Sequence, residues 1–183
     1  MPRESITPPA IRIREINDLD MSAIQGIYAH HVLHGLASWE ESPPDAAEMT
    51  ARCHTILADG YPYLVAEHDG RVVGYAYASK YRPRPAYRHT VENSVYVDTD
   101  IHRKGIGAKL LDELISRCAA LGLRRMVAII GDSDNAPSIR LHERAGFVLV
   151  GTIPACGFKH GLWLDQVIMH RSLGPGETTP PTS

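Results

Sequence analysis

Glu92 is the single charged residue in Thr90-Val91-Glu92-Asn93-Ser94-Val95-Tyr96-Val97. Partial desolvation in such a run would raise a carboxyl pKa toward neutrality, where the group can take up and release a proton, so Glu92 is the first candidate for a general base. His142, in Leu141-His142-Glu143, carries the side chain that changes charge nearest neutral pH. On residue type alone it is either a proton-transfer group or a solvated helix residue. In Arg103-Lys104-Gly105-Ile106-Gly107 two glycines remove the Cβ atoms that would keep an anion from the backbone. If a helix starts there, its first N–H groups have no partner and lie at the positive end of the dipole, a setting suited to pyrophosphate. Arg82, Arg84 and Arg88 beside Tyr81 and Tyr87 are able to clamp a carboxylate and an anionic side-chain end through bidentate bonds; a solvated basic loop is the alternative. His30 and His34 have the spacing of a metal pair, but no glutamate lies between them as His-Glu-x-x-His requires. They read as ordinary, partly exposed histidines, and no metal is expected.

The elements around these residues follow from periodicity. Met1 to Ala10 is proline-rich and is expected to be disordered. Ile11 to Ile16 alternates as a half-buried strand, and Asp18 or Asp20 is placed to cap a helix carrying Ile24, Ile27, Tyr28 and Val32 on one face. Trp39 falls in an exposed-looking Ser-Trp-Glu loop, and Pro43-Pro44-Asp45 starts a second helix running to about Ala58. Tyr63 to Glu67, a turn at Asp69-Gly70, and Val72 to Ala78 form a hairpin. The proline-spaced segment Lys80 to Arg88 reads as irregular and leads into the strand Val91 to Val97. Ile106, Leu110, Leu111, Leu114, Ile115 and Cys118 share one helix face. Met126 to Ile130 reads as a strand buried on both sides, and Pro137 to Ala145 as a short helix closed by Gly146. Phe147 to Ile153 and Trp163 to Ser172 are the last two strands, joined by a loop from Pro154 to Gly161; Gly174 to Ser183 is a loose tail.

Composition narrows the classes. With 183 residues and 44% hydrophobic content, the chain suits one domain, expected over Ile11 to Leu173. A net charge of −2 and a pI near 6.5 leave no global field for a nucleic-acid backbone or an anionic membrane, so neither is an expected partner. Three widely spaced cysteines in apolar surroundings, Cys53, Cys118 and Cys156, read as small core residues in a reducing compartment. No apolar run approaches the ~18 residues of a membrane span, and the amino terminus lacks a hydrophobic signal region, so a cytoplasmic enzyme is the expectation.

A Walker loop would need Gly-x-x-x-x-Gly-Lys-Ser/Thr, and a Rossmann turn a third glycine where Leu110 stands. His102-Arg103-Lys104-Gly105-Ile106-Gly107 instead resembles motif A of the GNAT acetyltransferases, Gln/Arg-x-x-Gly-x-Gly/Ala after a strand, with His102 where Gln or Arg is usual. Asn135-Ala136-Pro137-Ser138-Ile139-Arg140-Leu141-His142-Glu143-Arg144-Ala145-Gly146-Phe147 resembles motif B, with His142 at the usual tyrosine position. Together with Thr90 to Val97 and Gly157-Phe158-Lys159-His160-Gly161-x-Trp163-x-Asp165, these motifs are similar to the phosphinothricin and methionine sulfoximine N-acetyltransferase branch, from about Ile11 to Leu173.

The resemblance implies an α/β fold of mixed α+β character, with a central, mostly antiparallel sheet of about seven strands flanked by about four helices. It implies acetyl-CoA as acetyl donor, a small amino acid as acceptor at its α-amine, and a homodimer. Glu92 and His142 would be catalytic, with His142 protonating the leaving thiolate. Val95, Tyr96 and Val97 would offer backbone to the pantetheine. His102, Arg103, Lys104, Gly105, Ile106, Gly107 and Ala108 would hold the pyrophosphate, and Asn135 and Ser138 would face the pantetheine and phosphate regions. Trp39, Arg82, Arg84, Tyr87, Asn93 and Ser94 would join Glu92 around the acceptor. The alternatives are an acetyltransferase of protein amino termini or other amines, and an acetyl-CoA sensor without turnover, against which Glu92 and His142 both argue.

Overall fold

Seven strands form one sheet in the order β1-β2-β3-β4-β5-β7-β6, and every neighbouring pair is antiparallel except β4 with β5. The structure is a computed structural model and describes residues 10–101 and 104–181. In chain order the elements are β1 (Arg12–Glu15), α1 (Met21–His34), α2 (Ala46–Ala58), β2 (Tyr63–His68), β3 (Arg71–Lys80), β4 (Thr90–Val97), α3 (Ile106–Ala120), β5 (Arg125–Gly131), α4 (Ala136–Arg144), β6 (Val148–Lys159) and β7 (Leu162–Ser172). The mixed α/β architecture expected from the sequence is the one observed.

The two sheet faces carry different cores. On one, Ile24, Ile27, Tyr28 and Val32 of α1 and Met49 and Cys53 of α2 meet Tyr63, Val65 and Tyr75. On the other, Leu110, Leu111 and Leu114 of α3 lie fully buried among Leu64, Ala76, Val91 and Met126. Each such leucine contributes about 1.5–3 kcal/mol by leaving water. The period-2 alternation of β4 serves both cores: Val91, Val95 and Val97 belong to the α3 side and Tyr96 to the α1 side.

Local chemistry explains most boundaries. Asp69 (φ 53°) and Gly70 (φ 72°) both occupy the left-handed region, as a two-residue hairpin turn of the primed type demands. Asp45 caps α2 by accepting from the Glu48 N–H. The cap before α1 differs from expectation. Asn17 accepts from the Leu19 N–H and Asp20 accepts from the Asn17 N–H, closing a single turn over Asp18–Asp20 that leads into α1. Asp20 is occupied by Arg14 at 2.7 and 2.8 Å, so it makes no side-chain cap to α1.

The carboxy-terminal arm corrects the expected loop. β6 does not stop at Ile153 but continues to Lys159 and pairs with β7 across a turn at His160 (φ 51°) and Gly161 (φ 78°). The breakers Pro154 and Gly157 are absorbed by an irregularity between Ile153 and Gly157. A proline is tolerated there because β6 is the edge strand, where one face of the backbone needs no ladder partner. Asp165 ties the irregularity down, accepting from the Ala155 N–H at 3.0 Å and from the Ser133 hydroxyl at 2.9 Å. Cys156 is exposed rather than part of the core, whereas Cys53 and Cys118 are buried, and all three are free thiols. After Leu173 the chain turns against β5: Arg124 donates to Gly176 O and Pro180 O, and Arg125 pairs with Glu177 at 2.7 Å.

Candidate active site

The parallel pairing of β4 and β5 runs from Thr90↔Arg125 to Asn93↔Ala128 and ends there. Beyond it the two strands part, although β4 keeps pairing with β3 as far as Val97 and β5 with β7 as far as Gly131. The gap opens one cavity of about 530 Å³, lined by Glu92, Asn93, Ser94, Val95 and Tyr96 from both faces of β4 and by His142 of α4. A second, of about 820 Å³, lies between the start of α3 and α4 and is lined by Val97, Lys104, Gly105, Ile106, Gly107 and Ala108.

Glu92 points to the side of β4 shared with Tyr96, and Asn93 to the side shared with Val91 and Val95. Burial pushes the Glu92 carboxyl above its ordinary pKa, and the Arg82 charge partly opposes this. The other carboxylate of the cavity, Glu40, behaves oppositely. Burial pushes it up, but the Arg52 guanidinium at 2.6 Å and the Tyr28 hydroxyl at 2.9 Å outweigh burial and hold it below the ordinary carboxyl range. Two carboxylates thus face one cavity with their pKa values displaced in opposite directions by their surroundings.

His142 lies on α4 with 4% of its surface exposed. Asn93 Nδ2 donates to Val127 O at 3.0 Å, which turns Asn93 Oδ1 toward His142 Nε2, also at 3.0 Å. The other ring nitrogen, Nδ1, stands 2.8 Å from Ser138 O. Burial lowers the imidazole pKa, and the Ser138 carbonyl only partly opposes this. The fixed amide therefore sets the proton on Nε2, and a protonated ring satisfies both oxygens.

At the second cavity, Gly105 adopts φ 66° and precedes α3 with no side-chain cap. The first backbone bond of this turn runs from the Lys109 N–H to Gly105 O, so the N–H groups of Ile106, Gly107 and Ala108 precede the helical ladder. A Cβ on Gly107 would stand 3.4 Å from Leu141 Cδ2 and 3.7 Å from Val97 Cγ2, inside the cavity these residues line. Backbone donors, a dipole terminus and the Lys104 side chain give this cavity the character of an anion site. Lys104 Nζ lies 2.6 Å from His68 Nε2, a ring buried at the β2–β3 turn.

The residues expected from sequence thus divide among three places. Trp39, Glu92, Asn93, Ser94, Val95, Tyr96, Asn135, Ser138 and His142 line the first cavity; Val97 and Lys104 to Ala108 line the second. Arg82, Arg84 and Tyr87 lie outside both linings, on the exposed segment before β4. There Arg82 stacks over Tyr81 at 4.7 Å while its charge reaches Glu92. His102 and Arg103 fall outside the described residues. Asn135 accepts from the Ser138 N–H at 3.3 Å and so caps α4 at the cavity wall. Sequence reasoning missed Tyr28, Ser38, Glu40 and Tyr77, which line the first cavity. Only Glu40 left a trace, as a carboxylate beside Trp39. Among the described residues no group of three His, Cys, Asp or Glu side chains is placed to hold a metal ion, and no helix is long and apolar enough to cross a membrane.

The sheet splits after one short parallel pairing, with a glycine-opened helix start beside the split, and residues 24–147 match the Acetyltransferase (GNAT) family. The chain belongs to that family. It is 51% identical over 172 residues to a phosphinothricin N-acetyltransferase of Alcaligenes faecalis, covering 94% of this chain and 87% of that one. It is 44% identical to an L-methionine sulfoximine/L-methionine sulfone acetyltransferase of Pseudomonas aeruginosa, covering 92% and 98%. The crystal structure of a phosphinothricin acetyltransferase from Sinorhizobium meliloti in complex with acetyl-CoA superposes with a TM-score of 0.92 at 48% identity, covering 94% of each chain.

Proposed function

We propose that this chain transfers acetyl from acetyl-CoA to the α-amine of small amino acids whose side chain ends in a tetrahedral oxo group: phosphinothricin, methionine sulfoximine or methionine sulfone. The observation that carries the reading is Glu92, a carboxyl whose pKa burial raises, at the mouth of the gap between β4 and β5. The two relatives named for these acceptors cover nearly the whole chain and support the substrate class.

An amino acid arrives as an ammonium ion and must lose a proton before its nitrogen can attack. Glu92 takes that proton; Glu40, held anionic by Arg52 and Tyr28, is too weak a base and instead offers negative charge to the incoming ammonium. The donor supplies a thioester, and on the side facing β5, where its pairing has ended, the stretch of β4 from Val95 to Val97 offers backbone groups to the donor's arm. Gly105, Ile106, Gly107 and Ala108, with Lys104, hold the pyrophosphate, and His102 and Arg103, which precede them in the sequence, are assigned to the same role from the motif alone. When the carbon–sulfur bond breaks, the second amine proton leaves and the thiolate gains one, a transfer served by His142, which lines the first cavity. Trp39 and Ser94 flank the acceptor side, and Arg82, whose charge reaches Glu92, approaches the acceptor carboxylate. Arg84 and Tyr87 would join them only by closure of the exposed segment before β4.

The homodimer rests on the carboxy-terminal arm. Leu149 and Val150 on the edge strand are each 61% exposed and Trp163 is 69% exposed, with Phe158 and Leu162 beside them. An apolar surface of this extent on an unpaired edge needs a cover, and a second copy supplies one. The free thiols support action in the reducing cytoplasm.

A thiol-release assay with acetyl-CoA tests the reading across phosphinothricin, methionine sulfoximine, methionine sulfone, methionine, spermidine and a peptide amino terminus. The three tetrahedral-oxo acids should react fastest. Faster turnover of spermidine or the peptide than of all three overturns the acceptor assignment and leaves the acetyl transfer standing.

A further inference from the structure

Lys159, at the end of β6, is 2% exposed, and its ammonium group ends far along the chain from its own strand. Nζ donates to Gly35 O at 2.9 Å and to Ser38 O at 2.6 Å, two carbonyls of the loop between α1 and α2. Burying an ammonium is costly unless acceptors replace its water, and here the acceptors are the backbone of that loop, with Glu40 and Glu41 adding negative charge nearby. The Tyr28 hydroxyl lies 3.0 Å from Ser38 Oγ, fixing the same loop to α1.

Between these ties the loop presents Trp39, and the sheet has a slot for its ring. A Cβ on Gly157 would stand 2.9 to 3.1 Å from three indole carbons. A Cβ on Gly131 would stand 2.5 Å from the indole Nε1, 2.9 Å from Leu36 O and 3.1 Å from Ala37 O. The indole therefore lies directly against the backbone of β5 and β6, at contacts no other residue type would leave open. The exposed part of the same ring lines the cavity that holds Glu92.

We propose that Lys159 and the Gly131–Gly157 slot are positioning elements that hold Trp39 as a fixed, specificity-determining wall of the acceptor pocket. The proposal rests on the acceptor reading given above. A rigid aromatic wall discriminates by shape at low entropic cost, whereas the same indole on a loose loop would adapt to many side chains. The ammonium on Lys159 matters because it donates to two backbone oxygens of the loop at once; a methionine of similar length fills the space and ties nothing.

The test uses the full chain with Trp163→Phe, which leaves Trp39 as the one tryptophan of the two in the sequence. In that background Lys159→Met and Gly157→Ala should each red-shift Trp39 emission. Each should also raise the KM for methionine sulfone by about tenfold while the KM for acetyl-CoA stays within about twofold. Gly157→Ala keeps the buried ammonium in place, so it decides the matter if Lys159→Met folds poorly. Unchanged emission, an unchanged acceptor KM, or an equal rise of both KM values overturns the proposal. Failure of the acceptor reading would show separately, as a parent protein that turns over none of the tetrahedral-oxo acids.

Discussion

His142 Nε2 stands 3.0 Å from Asn93 Oδ1, and the orientation of that amide is fixed independently by its bond to Val127 O on the neighbouring strand. Asn93 is also the last residue of β4 in register with β5. The residue that ends the parallel pairing is thus the one that presents the histidine with a defined acceptor.

Asn93→Ala should lower kcat by about tenfold to a hundredfold, because the imidazole loses the partner that sets its tautomer. The KM for acetyl-CoA should change little. Steady-state kinetics over pH check this: the profile should shift as well as fall, which simple loosening of the strand would not produce.

Glu92→Gln should reduce turnover by about 10²- to 10⁴-fold with binding of acetyl-CoA retained, the usual range for loss of a general base. The stability effect has the opposite sign. Because the folded carboxyl pKa is raised, the folded state binds the proton more tightly than the unfolded chain. Stability therefore falls as pH rises from the ordinary carboxyl range through the raised value. Glu92→Gln removes that loss, so its melting temperature should exceed the parent's near pH 8 and converge with it in acid. Thermal unfolding at several pH values measures the crossover.

Arg82→Ala removes the cation that opposes the upward push of burial on Glu92. The acidic limb of kcat/KM should move to higher pH, and the KM for the amino acid should rise while that for acetyl-CoA does not. An unmoved limb would separate Arg82 from the base.

Gly107→Val should abolish the melting shift given by saturating acetyl-CoA, which at 100 times its Kd adds about 2.7 kcal/mol to the parent. The new side chain would project between Leu141 and Val97, into the second cavity. Gly105→Ala should bind weakly as well and also cost about 1 kcal/mol of stability, since Gly105 sits at φ 66°. Differential scanning fluorimetry distinguishes the two.

If a second copy covers the edge strand as proposed, the parent should be a dimer in light scattering and Leu149→Asp with Val150→Asp a monomer, with far-ultraviolet dichroism unchanged. Both side chains are 61% exposed on the outer strand, so charge there opposes association without entering a core.

Elements with clean periodicity were legible in the sequence. β4, α3 and β5 fall where alternation, the 3.6-residue apolar stripe and the continuous apolar run put them, because each buries the face its pattern describes. β6 was not, since Pro154 and Gly157 signal a break and only the edge position of the strand makes them harmless. Glu92 and His142 could be named from sequence because each stands in a motif, and the structure gathers both at one cavity. Lys159 and Glu40 could not be given places, as what they touch lies 121 and 12 residues away and depends on how two loops meet. The exposed arginine segment reads as a clamp by composition; in the structure Arg82, Arg84 and Tyr87 all lie outside the cavity linings, and the charge that reaches Glu92 is that of Arg82.

The division of the sheet into two helical layers makes acceptor preference and donor chemistry separately heritable. The wall made by Tyr28 of α1 and the loop after it, backed by Gly157 of β6, can be redrawn by point substitution without touching Gly105 or the start of α3, because none of these residues lines the second cavity. Combinatorial libraries confined to residues 36–41 and 155–159 should therefore change which amine is chosen long before they change how the thioester is held.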